Sequence, residues 1–187
     1  MSNTAPHSLS PTTVSRIHEA AETLGTNPLL DWVCRLLDGR ARPGADGDPD
    51  IAVLGGMEAV EDWMGRVWAA QTLLELWHHT ATTSVITALN DPAWQVRVIA
   101  VEVAGYRDLN EATDTLLDLL DDPTPQVRSE AATALGEIIS AENESALKAL
   151  NSAVTSTDSV MADAAESALN RVAERFDRSD LRPSPRY

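Results

Sequence analysis

Residues 91–105 read DPAWQVRVIAVEVAG, and residues 122–136 read DPTPQVRSEAATALG. Pro92 and Pro123 are 31 positions apart, and so are Val96 and Val127, Arg97 and Arg128, Ala100 and Ala131, and Gly105 and Gly136. Chemistry matched at a fixed period is the signature of a stacked repeat, in which each unit buries its apolar face against the next. The same register extends backwards in degenerate form: Arg66 corresponds to Arg97, Ala69 to Ala100, Trp63 to Trp94 and Leu89 to Leu120. Beyond residue 136 the unit lengthens, because AATAL at 131–135 matches AESAL at 165–169 with a spacing of 34.

Each unit reads as a helix, a short turn and a second helix. First helices are expected near 64–77, 94–106, 125–139 and 159–175, and second helices near 80–90, 110–121 and 142–154. The small residues Ala69, Ala100, Ala131 and Ala165 share one register, where neighbouring helices need a close approach. Val85, Leu89, Leu116, Leu120, Leu150 and Val154 form the corresponding apolar ridge of the second helices.

Upstream, Ser10–Pro11 is a cap residue followed by a first-turn proline. Val14, Ile17, Ala20, Ala21 and Leu24 then keep one helical face apolar, and Gly25 suits the exit. Asn27–Pro28 starts a second helix with Leu29, Leu30, Trp32, Val33, Leu36 and Leu37 as its apolar positions. Residues 11–38 therefore read as an antiparallel helix pair. The stretch 39–50, GRARPGADGDPD, holds three Gly, two Pro and three Asp and no apolar residue larger than Ala, so it reads as a solvated loop. The expected organisation is a flexible N-terminus over 1–10 and one all-α domain over 11–176. Within that domain come the helix pair 11–38, the loop 39–50, repeats at 63–90, 91–121 and 122–157, and a C-terminal cap at 158–176. Residues 177–187 are expected to form a disordered tail.

The 187-residue chain carries a formal net charge of −15, and residues 51–170 hold 19 acidic side chains against five basic ones. Phosphate binding needs a basic footprint, so nucleic acid is not an expected partner. Cys34 is the only cysteine, which excludes an intrachain disulfide and a cysteine metal cluster. The N-terminus MSNTAPHSLSPTT lacks an apolar signal core, and no run is long enough to span a bilayer. A cytoplasmic protein with no membrane partner is the simple expectation.

The D-P-x-x-x-V-R-x-x-A-x-x-x-x-G pattern over 91–136 resembles HEAT repeats, in particular the short HEAT-like class of phycobilisome lyases and small bacterial HEAT-repeat proteins. The resemblance implies an α–α superhelix, a solenoid of about four helix-turn-helix units whose second helices line the concave surface. It implies no single activity. It also implies that Asp91 and Asp122, with Arg66, Arg97 and Arg128, form a structural ladder that caps helices and holds repeats in register.

Catalytic and metal motifs find little support. HEAAETLG at 18–25 is similar to a metal-binding segment of deoxyhypusine hydroxylase, itself built of HEAT repeats, but the further His-Glu pairs that such a centre needs are missing around His7, His78 and His79. His78 and His79 read instead as partners for the last carbonyls of the preceding helix. Cys34, among Trp32, Val33, Leu36 and Leu37, reads as a buried inert thiol. Gly55–Gly56 lacks the Gly-Lys-Ser/Thr of a phosphate loop. No catalytic residue, metal or cofactor is therefore expected.

Two features point to partner contact. Glu111, Asp114, Asp118 and Asp121 follow helical i, i+3, i+4 spacing and share one side of a second helix. Like charges so placed cost stability, and nothing in the helix offsets them. Trp63 and Trp94 occupy one repeat position at the start of first helices, where exposed rings would form a binding ledge unless the segment 39–62 covers them. The expected function is a non-catalytic scaffold presenting an acidic concave surface to a protein or peptide, with a basic partner favoured. The alternative is an accessory lyase or chaperone-like component, or an enzyme, handling a small ligand in the groove.

Overall fold

The computed structural model describes residues 9–41 and 47–183. The described residues are helical without strands: α1 (Pro11–Leu24), α2 (Thr26–Leu37), α3 (Ala52–Gly55), α4 (Asp62–Glu75), α5 (Thr82–Ala88), α6 (Trp94–Tyr106), α7 (Thr113–Asp118), α8 (Pro125–Ile138), α9 (Glu144–Ala153) and α10 (Ser159–Arg175). The chain divides into two compact units, Met1–Val103 and Ala104–Tyr187, and the boundary falls inside α6 rather than in a linker.

In the first unit, Ser10 caps α1 by accepting the Thr13 N–H at 3.2 Å, with Pro11 in the first turn. Gly25 then serves both helices of the pair at φ 86°, a conformation that an L side chain rarely adopts, which is why a single residue can turn the chain. Helix α2 buries Leu29, Leu30, Trp32, Val33, Leu36 and Leu37 and packs on α1, α4 and α5. The loop after α2 is less free than its composition suggests. Arg35 donates to Asp48 at 2.8 Å, and Ala41 is buried, so both flanks of the loop are tied to the fold; residues 42–46 lie outside the described residues. A helical turn not read from the sequence, α3, follows. Asp50 accepts the Ala52 N–H at 2.9 Å, and the turn packs on α1 and α4.

Helix α4 starts and ends two residues earlier than the spacing predicts. Its C-cap is Leu76, so His78 and His79 lie beyond the helix. His78 caps the next element instead, its ring accepting from Thr80 at the start of the short 3-10 turn His79–Ala81. The correction has a local cause: Leu76 is extended (φ −109°, ψ 129°), which breaks the helix before the histidines can reach its carbonyls.

In the second unit, α7 packs on α8 and α9, and α8 and α9 pack on α10. The small-residue register is buried throughout: Ala131 and Ala165 here, and Ala69 and Ala100 in the first unit, are at most 1% exposed. The ridge Val85, Leu89, Leu116, Leu120, Leu150 and Val154 is buried as well. The repeat glycines explain how first helices close on one another. A Cβ at Gly105 would lie 3.0 Å from Ala134 Cα, and one at Gly136 would lie 2.6 Å from Ala168 Cβ and 2.7 Å from its Cα. Only hydrogen fits at Gly136 without a shift.

The chain end departs from expectation. Instead of a featureless tail from 177, Ser179–Leu181 forms a 3-10 turn packed on α10, and Arg178 pairs with Asp180 at 2.7 Å; residues 184–187 lie outside the described residues, as do 1–8 of the N-terminus. Arg175, in the last turn of α10, serves another helix. It donates to the carbonyls of Glu137 and Ile139, the unsatisfied end of α8, while Arg171 pairs with Glu137.

Candidate partner-binding surfaces

The segment carrying the acidic stripe is not one continuous α-helix. It comprises a 3-10 turn (Asn110–Ala112), α7, and a second 3-10 turn (Leu119–Asp121). Tight turns at both ends of a short helix are common where its last carbonyls have few partners. The α-helical i, i+4 relation therefore holds for Asp114 and Asp118, while Glu111 and Asp121 flank them on 3-10 turns. All four side chains are exposed, and the opposite side is anchored by buried Ala112, Leu116, Leu119 and Leu120. None of the four makes an ion pair among the described residues. The sequence contains no Lys or Arg between Arg107 and Arg128, so the stripe has no cation of its own segment to offset it.

The two tryptophans differ. Trp94, the first residue of α6, is 40% exposed, whereas Trp63 near the start of α4 is half-buried. The segment upstream does cover one tryptophan on α4: the Trp68 ring occupies the space where a Gly55 side chain would stand, 2.3 Å from an ideal Cβ. Gly55 is thus the residue that lets α3 lie on the indole face.

The Asp–Arg positions make repeating contacts. Asp91 accepts the Ala93 N–H at 2.8 Å and receives a two-point contact from Arg66 of the preceding first helix, at 2.6 and 3.1 Å. Asp122 accepts the Thr124 N–H at 2.7 Å. Arg97 and Arg128 each donate at 2.8 Å to the carbonyl of the Asp that opens their own repeat, Asp91 and Asp122 respectively. Arg128 also reaches Asp158, the N-cap of α10, at 2.5 Å. The Arg128 guanidinium beside Asp158 holds that carboxyl below the usual aspartate range, with the Met161 N–H adding to the effect. These guanidiniums are engaged with protein groups.

Cys34 is half-buried rather than sealed in the core, because it lies on the side of α2 facing Ser84 while its neighbours Trp32, Val33, Leu36 and Leu37 point inward. It lines a cleft of about 420 Å³ with His78, Asp38 and Arg40 among others. Burial raises its thiol pKa, partly opposed by a hydrogen bond from Ser84, so at neutral pH it is a thiol and not a nucleophilic thiolate. His18 contacts Glu75 at 2.6 Å. Among the described residues no group of three or more His, Cys, Asp or Glu side chains is placed to hold a metal, and no helix is long and apolar enough to cross a membrane.

Helix pairs repeating in register, with conserved chemistry at each turn and a small residue at each helix contact, define an α-helical repeat protein. The family model for HEAT repeats matches residues 82–170. The curated proteins contain no match to the chain. HEAT repeats generally mediate protein–protein interaction, and the family is generally non-enzymatic.

Proposed function

We propose that the protein is a non-catalytic interaction module that presents the α7 surface to a basic protein or peptide. The observation that carries this reading is the row Glu111, Asp114, Asp118 and Asp121: four exposed carboxylates, without ion pairs, on the second helix of the best-matched repeat. Second helices of a HEAT array are the ones that such arrays turn toward their ligands. Holding like charges side by side costs a few tenths of a kcal/mol per pair. An opposing basic surface would relieve that repulsion on binding and steer association. Trp94, in the first unit, is a separate candidate for aromatic contact.

For the small-ligand alternative the cleft beside Cys34 is one location, and the raised thiol pKa weighs against covalent chemistry there. The test is affinity capture of partners with the full chain, followed by binding of the recovered partner at low and moderate salt. The proposal expects a basic partner whose association weakens steeply with salt. A partner of acidic or neutral surface, with salt-independent binding, would overturn it.

A further inference from the structure

A cleft of about 690 Å³ opens in the second unit where the end of α7, the turn into α8 and the end of α9 meet. Its floor is apolar, with Leu117, Leu120 and Met161, and its walls carry carboxylates and hydroxyls. The wall also contains Arg128, which would suggest an anion site, but that guanidinium is spent on the Asp122 and Pro123 carbonyls and on Asp158. Asp121, in contrast, is exposed and makes no ion pair among the described residues. The C-terminus of α9 also ends at the cleft, which adds the negative end of its dipole.

We infer that this cleft receives an arginine side chain of the partner that docks on α7, an inference that rests on the partner-binding reading above. An arginine fits each part. Its aliphatic stem lies along the apolar floor, its planar fork pairs with the Asp121 carboxylate, and its remaining N–H groups reach the wall hydroxyls, including Ser152. Lysine offers a strongly hydrated point charge and makes poorer use of an apolar floor. The acidic stripe runs along the segment that ends at Asp121, so the partner chain would pass from the stripe into the cleft.

The probe is an acetylated, amidated heptapeptide with one central arginine, alongside versions carrying lysine or citrulline, titrated into the full-length protein by amide NMR. The arginine peptide is expected to shift resonances of residues 117–123 and 149–161 and to bind three- to tenfold more tightly than the citrulline peptide. Asp121→Asn should abolish that difference, and Ser152→Trp, which fills the cleft from an exposed position, should abolish binding while the helical spectrum is unchanged. Equal binding of arginine and citrulline peptides, tighter binding of the lysine peptide, or shifts confined to other residues would overturn the inference. Asp114→Asn/Asp118→Asn separates the two readings. It leaves peptide binding in the cleft intact, so a loss of partner binding alone concerns the stripe, and a loss of peptide binding alone concerns the cleft.

Discussion

Substituting Gly136 by alanine reverses the ordinary rule for helices. In a helix interior Gly→Ala stabilises by about 1 kcal/mol, through propensity alone. Gly136 lies inside α8, yet the new Cβ would stand 2.6 Å from Ala168 Cβ and 2.7 Å from Ala168 Cα on α10. Carbon atoms in good contact are about 3.5–4.0 Å apart, so α10 must move by most of an ångström or the helix must distort. Because the obstacle is backbone, no rotamer change relieves it, and over-packing of this kind costs about 1–3 kcal/mol. A backbone obstacle places the cost in the upper part of that range, about 2–3 kcal/mol, and less the propensity gain the net destabilisation of about 1–2 kcal/mol should lower Tm by about 2–8 °C at this chain length. Gly105→Ala provides the internal control. Its Cβ would be 3.0 Å from Ala134, a milder conflict that the propensity gain roughly cancels, to within about 0.5 kcal/mol. The assay is thermal and urea unfolding of both variants, with Gly136→Ala/Ala168→Gly completing a double-mutant cycle whose coupling should exceed about 0.5 kcal/mol. A Gly136→Ala protein as stable as the wild type, or one destabilised no more than Gly105→Ala, would refute the close packing of first helices at Gly136.

Asp91→Ala removes a turn acceptor and leaves Arg66 without its two-point partner, and should cost about 2–3 kcal/mol in urea unfolding, more than loss of a helix cap alone. The depressed pKa of Asp158 makes the folded state favour its carboxylate, so its contribution is fully present above the ordinary aspartate value of 3.8 and is lost as pH falls through the lower folded value; unfolding titrations of wild type and Asp158→Asn should therefore converge in acid and diverge above about pH 4. Cys34 should react with iodoacetamide more slowly than a free thiol at pH 7.5 and accelerate as pH rises past the normal cysteine range; rapid labelling at neutral pH would contradict its environment.

Much of the architecture was legible because the period is carried by residues with one physical role. Gly105 and Gly136 recur because backbone meets backbone there, and Ala131 and Ala165 recur because they are buried at helix contacts. The elements misjudged were those set by contacts distant in sequence. α3 exists because Gly55 accepts the Trp68 ring, and nothing in AVLG announces it. Cys34 was expected in the core because its neighbours are apolar, yet its direction on α2 turns it toward Ser84 and a cleft. Arg175 closes the end of α8 across 36 to 38 positions, a contact that no local pattern announces. Of the candidate surfaces, the exposure of the α7 carboxylates followed from spacing, because Leu116 and Leu120 fix the opposite side. The difference between Trp63 and Trp94 did not, since it depends on what covers each ring. The cleft at the ends of α7 and α9 was not foreseen, because residues from four α-helices, a 3-10 turn and the loops between them line it.

The most direct measurement of the proposed role is the association rate of the recovered partner with wild type and with Asp114→Asn/Asp118→Asn, by stopped flow at low and moderate salt. Removing two exposed, unpaired carboxylates should leave the fold as stable or more stable by a few tenths of a kcal/mol. It should slow association about three- to tenfold at low salt and flatten the salt dependence, with the dissociation rate little changed. Unchanged association at both salt concentrations would contradict a partner-facing role for α7.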